Sequence, residues 1–179
     1  MNKRALLTGL FYSVLVIGFK LYILLGGYTF TRFGFNYAHV LSVFCLIPFF
    51  IVAVKGVRDK DLGGVIGGKQ ALKTGLTVLA IGMLLLSIYN YFECGSQFFK
   101  EEAIKHYNGE TYLTYLKEMA VKMPDKVKAE DFPKIILQHI AALDPAKSTT
   151  FKLFPLLIIG GSGAFVTAMF MKRNGPKSL

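Results

Sequence analysis

Lys20 is the residue whose type and setting most invite chemistry, because it stands inside an otherwise apolar run. An ionisable group within a membrane segment is a functional hypothesis by default. It lies only about 10 Å from the outer end of that run at 1.5 Å per residue. Its stem can therefore snorkel to the interface. The alternative partner is Glu93, at the outer end of the third apolar run. Snorkelling or a Lys20–Glu93 pair ranks ahead of transport chemistry. Three histidines, His39, His106 and His139, are widely spaced and match no metal-ligand pattern. Only a convergence of His39, Glu93 and His139 at the outer face would make a catalytic cluster. Cys45 and Cys94 fall at different depths, so a disulfide is not expected. Cys94 is expected partly buried and inert. The run Gly63-Gly64-Val65-Ile66-Gly67-Gly68-Lys69-Gln70 imitates a phosphate loop. It has Gln70 where magnesium binding needs Ser or Thr, and no α/β domain surrounds it. The reading is a tight turn and no nucleotide. No Ser-His-Asp or Cys-His set can be assembled, and no paired carboxylates lie in the apolar runs. The expectation is a non-enzyme with no catalytic residue, no cofactor and no metal.

The elements that must position these groups follow from composition. The 179 residues are 53% hydrophobic and 18% charged. Soluble domains average about 25% charged. Disorder and a disulfide scaffold are both excluded, the first by apolar content and the second by only two cysteines. A helix needs about 20 apolar residues to cross a bilayer. Four runs qualify, at about 5–28, 37–54, 72–92 and 153–171. Their continuity argues for helices rather than a membrane barrel. The first is too long for a signal peptide and is read as a mature span. The fold class is thus all-α, a polytopic membrane protein of four transmembrane helices in one domain over 1–179.

Charge orients it. Lys3, Arg4, Lys55, Arg58, Lys60, Lys69, Lys73, Lys172, Arg173 and Lys177 share one side, against Arg32 alone in the first short loop. The positive-inside rule then puts both termini in the cytoplasm, N-in and C-in. The net charge of +10 serves topology and anionic headgroups, not nucleic acid. Membrane lipids are the expected surroundings.

Residues of about 93–152 form an extracytoplasmic insert that looks helical. Tyr112, Tyr115, Leu116, Met119, Ala120 and Met123 make one apolar stripe. Phe132, Ile135, Ile136, His139, Ile140 and Leu143 make a second, with Asp131 as N-cap, Pro133 in the first turn and Asp144-Pro145 as its end. A weaker stretch over 96–107 stops at Asn108-Gly109. These faces pack on one another and on the span ends, or they cover a partner. The candidate partner-binding face is Tyr112, Tyr115, Leu116, Met119, Phe132, Ile136 and Ile140. Gly160, Gly161, Gly163, Ala164 and Ala168, with Gly75 and Gly82, allow close helix packing or a homodimer.

The run Arg58-Asp59-Lys60-Asp61-Leu62-Gly63-Gly64, then Ile66, Gly68 and Ala71 before an apolar span, resembles the bacterial domain of unknown function 4199 family. The likeness covers nearly the whole chain. It implies a multi-pass protein of the bacterial cytoplasmic membrane and no known reaction. The functional expectation is an accessory or assembly subunit of a membrane complex. The alternative is a small transporter or lipid-handling protein using Lys20.

Overall fold

The computed structural model describes residues 2–173, save the side chains at 32, 35, 36, 38 and 39. It is all-helical, with one isolated β-bridge among the described residues. Helix α1 spans Lys3–Leu25, α2 Arg32–Phe44 and α3 Leu46–Gly56. A π-helical turn, Val57–Asp61, then leads to α4, Gly68–Gly95. Helices α5 (Gln97–Tyr107), α6 (Glu110–Lys122) and α7 (Phe132–Ala141) follow, and α8 runs Pro145–Met171. Among the described residues, four stretches are long and apolar enough to cross a membrane: Lys3–Leu25, Val40–Asp61, Gly68–Gly95 and Pro145–Met171.

Two boundaries differ from the sequence expectation. The second span is not one helix over 37–54. It breaks at Cys45 between α2 and α3 and continues to Asp61. Pro48 explains the break, since it lacks the N–H that would bond the carbonyl of Phe44. The bond from Phe49 N–H to the Cys45 carbonyl is correspondingly long, 3.4 Å. The fourth span begins at Pro145, not at 153. Asp144 accepts from the Lys147 N–H at 2.8 Å and Pro145 opens the first turn. Asp144-Pro145 thus starts α8, and the insert between the two long helices shortens to 96–144. Its three helices lie where the stripes place them. Asp131 precedes α7, but its side chain makes no cap bond, and a 3₁₀ turn over Ala129–Asp131 leads in instead.

Helix α4 is the axis of the bundle, lying against α1, α3 and α8. Small residues set the approach. A Cβ at Gly82 would come 2.8 Å from the Tyr12 ring, and one at Gly75 would come 3.1 Å from Ala164 Cβ. Tyr12 is fully buried and donates to the Ser42 carbonyl at 2.5 Å. The ring therefore cannot retreat from α4. The core around it includes Val16, Leu46, Phe50, Val78 and Leu156. Facing outward are Phe11, Val14, Val52, Leu84, Phe92, Phe154 and Phe170. Such an apolar exterior is what hydrocarbon solvates.

The N-terminus, the loop before α4 and the end of α8 meet at one end of the bundle. Arg4 Nε pairs with Asp61 at 2.7 Å, and Asn2 Nδ2 donates to the same carboxylate at 3.0 Å. Ile66 and Arg173 exchange backbone bonds of 3.0 and 2.9 Å. Between these contacts Gly63 and Gly64 take φ of +61° and +92°, which glycine alone adopts freely.

Gly82→Ala is expected to destabilise the bundle by about 1–3 kcal/mol through overpacking against Tyr12. Gly18→Ala, where a Cβ meets open space, is expected to be neutral or slightly stabilising. Chemical denaturation in detergent micelles, followed by circular dichroism, checks both.

Candidate functional site

Opposite the basic end, α1, α4 and α8 bring a set of polar side chains into the apolar bundle. Tyr89 and Asn90 lie one turn before Glu93 on α4, and spacings of four and three residues bring each of them beside it. Lys20 comes from α1 and Lys152 from the second turn of α8. Lys20 is buried, at 6% exposure, and its Nζ donates to Asn90 Oδ1 at 2.8 Å. It also lies 5.9 Å from the Tyr89 ring centroid. Glu93 is buried too. One of its oxygens accepts from the Tyr89 hydroxyl at 3.1 Å, and the other from Lys152 Nζ at 2.8 Å. Lys152 Nζ further lies 3.3 Å from Cys94 Sγ and 5.0 Å from the Phe99 ring centroid.

The expected Lys20–Glu93 contact is therefore not formed, and Lys20 does not snorkel to the surface. Asn90, one turn short of Glu93, takes the Lys20 ammonium, while Lys152 takes the carboxylate. Glu93 still acts on Lys20 through space. Two features were missed from sequence. Asn90 is uncharged, so a search for ionised partners passes over it. Lys152 falls in the insert when Asp144-Pro145 is taken as a stop rather than a start. The Asp-Pro capping pair was the signal that would have found it.

The network holds more readily than it reacts. Each Glu93 oxygen is occupied by a donor, and Cys94 is fully buried. Cys45 and Cys94 are both unpaired, as expected. Of His39, Glu93 and His139, the structure describes the side chains of the last two. Glu93 belongs to Lys152, and His139 Nδ1 lies 2.9 Å from the Tyr112 hydroxyl. The His39 side chain lies outside the described residues. Among the described residues no three His, Cys, Asp or Glu side chains are grouped to hold a metal ion.

The cap formed by α5–α7 sits beside this network. Phe99 of α5 packs with Cys94 and Leu24. Phe30, in the turn after α1, stacks on His106 at 5.2 Å and leans on Phe99 at 5.3 Å. Tyr107 meets Tyr112 at 5.0 Å and His139 at 5.4 Å, both edge-on. Of the candidate partner face, Tyr112 belongs to this cluster. Tyr112 and Leu116 are buried, while Met119, Phe132, Ile136 and Ile140 are half-buried. Tyr115 stays exposed, along with Val121 and Leu137. Burial holds the His106 imidazole below its ordinary value and raises the Tyr107 and Tyr112 hydroxyls.

The glycine-rich loop has the helix start of a phosphate loop but not its setting. Gly64 N–H bonds the Arg58 carbonyl at 2.8 Å, Ile66 pairs with Arg173, and no strand precedes the loop among the described residues. From residue 3 to residue 173, the chain matches the family described as Protein of unknown function (DUF4199). It belongs to that family. The match takes in all four long helices, the charged loop and the cap. No curated protein and no solved structure matches this DUF4199 chain.

Breaking a buried ion pair by removing one partner costs about 3–5 kcal/mol. Lys152→Met and Glu93→Gln are each expected to destabilise by about that much, and the double variant by less than the sum. Equilibrium unfolding of the three variants in detergent tests this. The cap should also respond to pH. His106 binds a proton less readily folded than unfolded, so its contribution is complete above about 6.5 and is lost as pH falls through its lowered value. Hydrogen-exchange protection in α5–α7, with the intrinsic pH dependence of amide exchange divided out, should fall between pH 7.5 and 5.5, and less so in His106→Phe.

Proposed function

We propose that this DUF4199 protein is a non-enzymatic accessory or assembly subunit of the bacterial cytoplasmic membrane, N-in and C-in, with its helical cap outside. One observation carries the reading: each buried charged group of the network already has a partner within the chain, Glu93 with Lys152 and Tyr89, Lys20 with Asn90, and Lys152 also meets Phe99 of the cap. Fixing the cap keeps Tyr115, Val121 and Leu137 facing away from the protein, where a membrane-protein partner or a second copy would meet them. The orientation is supported by the meeting of Arg4, the 55–73 loop and Arg173 at one end, which gathers the basic residues on a single face.

The alternative, a small transporter or lipid-handling protein, draws on Lys20 itself. Lys152 takes the carboxylate of Glu93 and Lys20 is held by neutral Asn90, so the network carries two ammonium groups to one carboxylate, and the surplus positive charge would suit an anionic headgroup.

Photocrosslinking in cells from Tyr115 and Leu137 separates the two. A reproducible protein partner, captured at both positions and lost when Lys152→Met loosens the cap, is the expected result. A chain that captures only lipid, while Lys20→Met abolishes its cellular phenotype, overturns the accessory reading in favour of lipid handling. Cysteine labelling at 115 and at 60 from outside intact cells tests the orientation, with 115 expected to react and 60 to be protected.

A further inference from the structure

At the basic end a second polar feature lies apart from the network above. A cavity of about 140 Å³ opens between the start of α1, the π turn and the first three turns of α4. It is lined by Asn2, Val57, Gln70, Lys73, Thr74 and Thr77. Positions 70, 73, 74 and 77 are one face of α4, so the helix presents an amide, an ammonium and two hydroxyls to the same space.

The inventory of donors decides what fits. The Thr74 hydroxyl donates to the Gln70 carbonyl at 2.9 Å, and the Thr77 hydroxyl to the Lys73 carbonyl at 2.8 Å. Asn2 Oδ1 is occupied by the N–H groups of Arg4 and Ala5, while Asn2 Nδ2 spends one hydrogen on Asp61. The donors left over are the Lys73 ammonium, the Gln70 amide and the second Asn2 hydrogen. No carboxylate lines the cavity. A cation therefore finds no charged ligand there, whereas an oxyanion finds three kinds of donor.

Charge balance points the same way. The two acids of this end are already committed, Asp59 to Arg58 at 2.6 Å and Asp61 to Arg4 at 2.7 Å. Among the described residues, Lys73 makes no ion pair. Its neighbours Lys55, Lys60 and Lys69 make none either, so the potential around the cavity is positive. The size narrows the ligand. At about 30 Å³ for each water, the cavity holds four or five waters, room for one phosphate group but well short of the 300–1,000 Å³ of a pocket for larger ligands. Position narrows it further. Lys73 lies about 7 Å along α4 from its first residue, at 1.5 Å per residue, and Leu76 beyond it is exposed on the apolar exterior. A headgroup held there would have its chains run past Leu76 along the apolar exterior.

We propose that this cavity is a phosphate-binding site, taking the headgroup of an anionic phospholipid through Lys73, Gln70 and Asn2. The site needs no partner protein and is independent of the role of the cap.

Native mass spectrometry of the delipidated full chain, titrated with phosphatidylglycerol or phosphatidylcholine, tests it. Phosphatidylglycerol is expected to be retained in preference, at one tight equivalent. Loss of a charge-assisted bond corresponds to about tenfold in affinity, so Lys73→Gln should weaken the tight equivalent by about that factor. Gln70→Leu, which alters no charge, should weaken it several-fold. Lys69→Gln removes the same charge outside the cavity and should leave it within about twofold. Equal losses in Lys69→Gln and Lys73→Gln would show diffuse attraction and overturn the site, as would equal retention of the two lipids. Displacement of phosphatidylglycerol by millimolar inorganic phosphate would uphold the oxyanion site while assigning it to soluble phosphate. Matching unfolding curves for the variants exclude a folding defect.

Discussion

A carboxylate removed from water must find compensation within reach, and in this chain that requirement ties three spans together. Glu93 is carried into the bundle by α4, and its two oxygens call for two donors. Tyr89 supplies one from the same helix. The other has to come from elsewhere, and Lys152 supplies it from α8. Once Lys152 is there, its ammonium lies against Cys94 and Phe99, which seats the first helix of the cap. Lys20 completes the arrangement through Asn90. Buried ion pairs add little net stability compared with apolar packing, but they penalise every arrangement that separates them. Here the penalty selects one register of α8 against α4.

Close packing and polar pairing divide the labour along α4. Near its middle and start, glycine and alanine let α1 and α8 approach, and Tyr12 fills the space left at Gly82. In lipid there is little hydrophobic gain between helices, so such fit has to come from shape. Near its far end the helix turns to hydrogen bonds instead. The cap relies less on either, with a hydrogen bond between Tyr112 and His139 joining α6 to α7. It is held by aromatic edges and faces around Phe30, His106, Tyr107 and Tyr112, which is why its cohesion depends on a neutral imidazole.

Much of this was legible in the residues. The four apolar runs and the gathering of basic residues read directly as spans and one charged end, because the length of a span and the absence of charge within it are imposed by the bilayer. The three cap helices followed from apolar spacing and from Asn108-Gly109. What escaped was tertiary or ambiguous. Pro48 splits the second span, yet proline is tolerated in membrane helices and does not announce a break. Asp144-Pro145 suits a helix start as well as a stop, and choosing the stop hid Lys152. Asn90 carries no charge, so nothing marked it as the partner of Lys20. The apolar stripes of the cap fall on its helices, but periodicity says only that a face is covered and not by what: Tyr112 and Leu116 are buried while Tyr115 stays exposed.

Helix α8 is held at both ends by contacts of different kinds. Near its start Lys152 is paired to Glu93, and just beyond its end Arg173 exchanges two backbone bonds with Ile66. The two anchor points are 21 residues apart in sequence, about 30 Å of helix at 1.5 Å per residue. A displacement along the axis by one turn, about 5.4 Å, would break one anchor or both. The fourth span is thus a strut rather than a piston. Force applied to the cap is carried through it to the loop at the basic end, and any motion that α8 makes with its anchors intact is a tilt or a roll about its own axis.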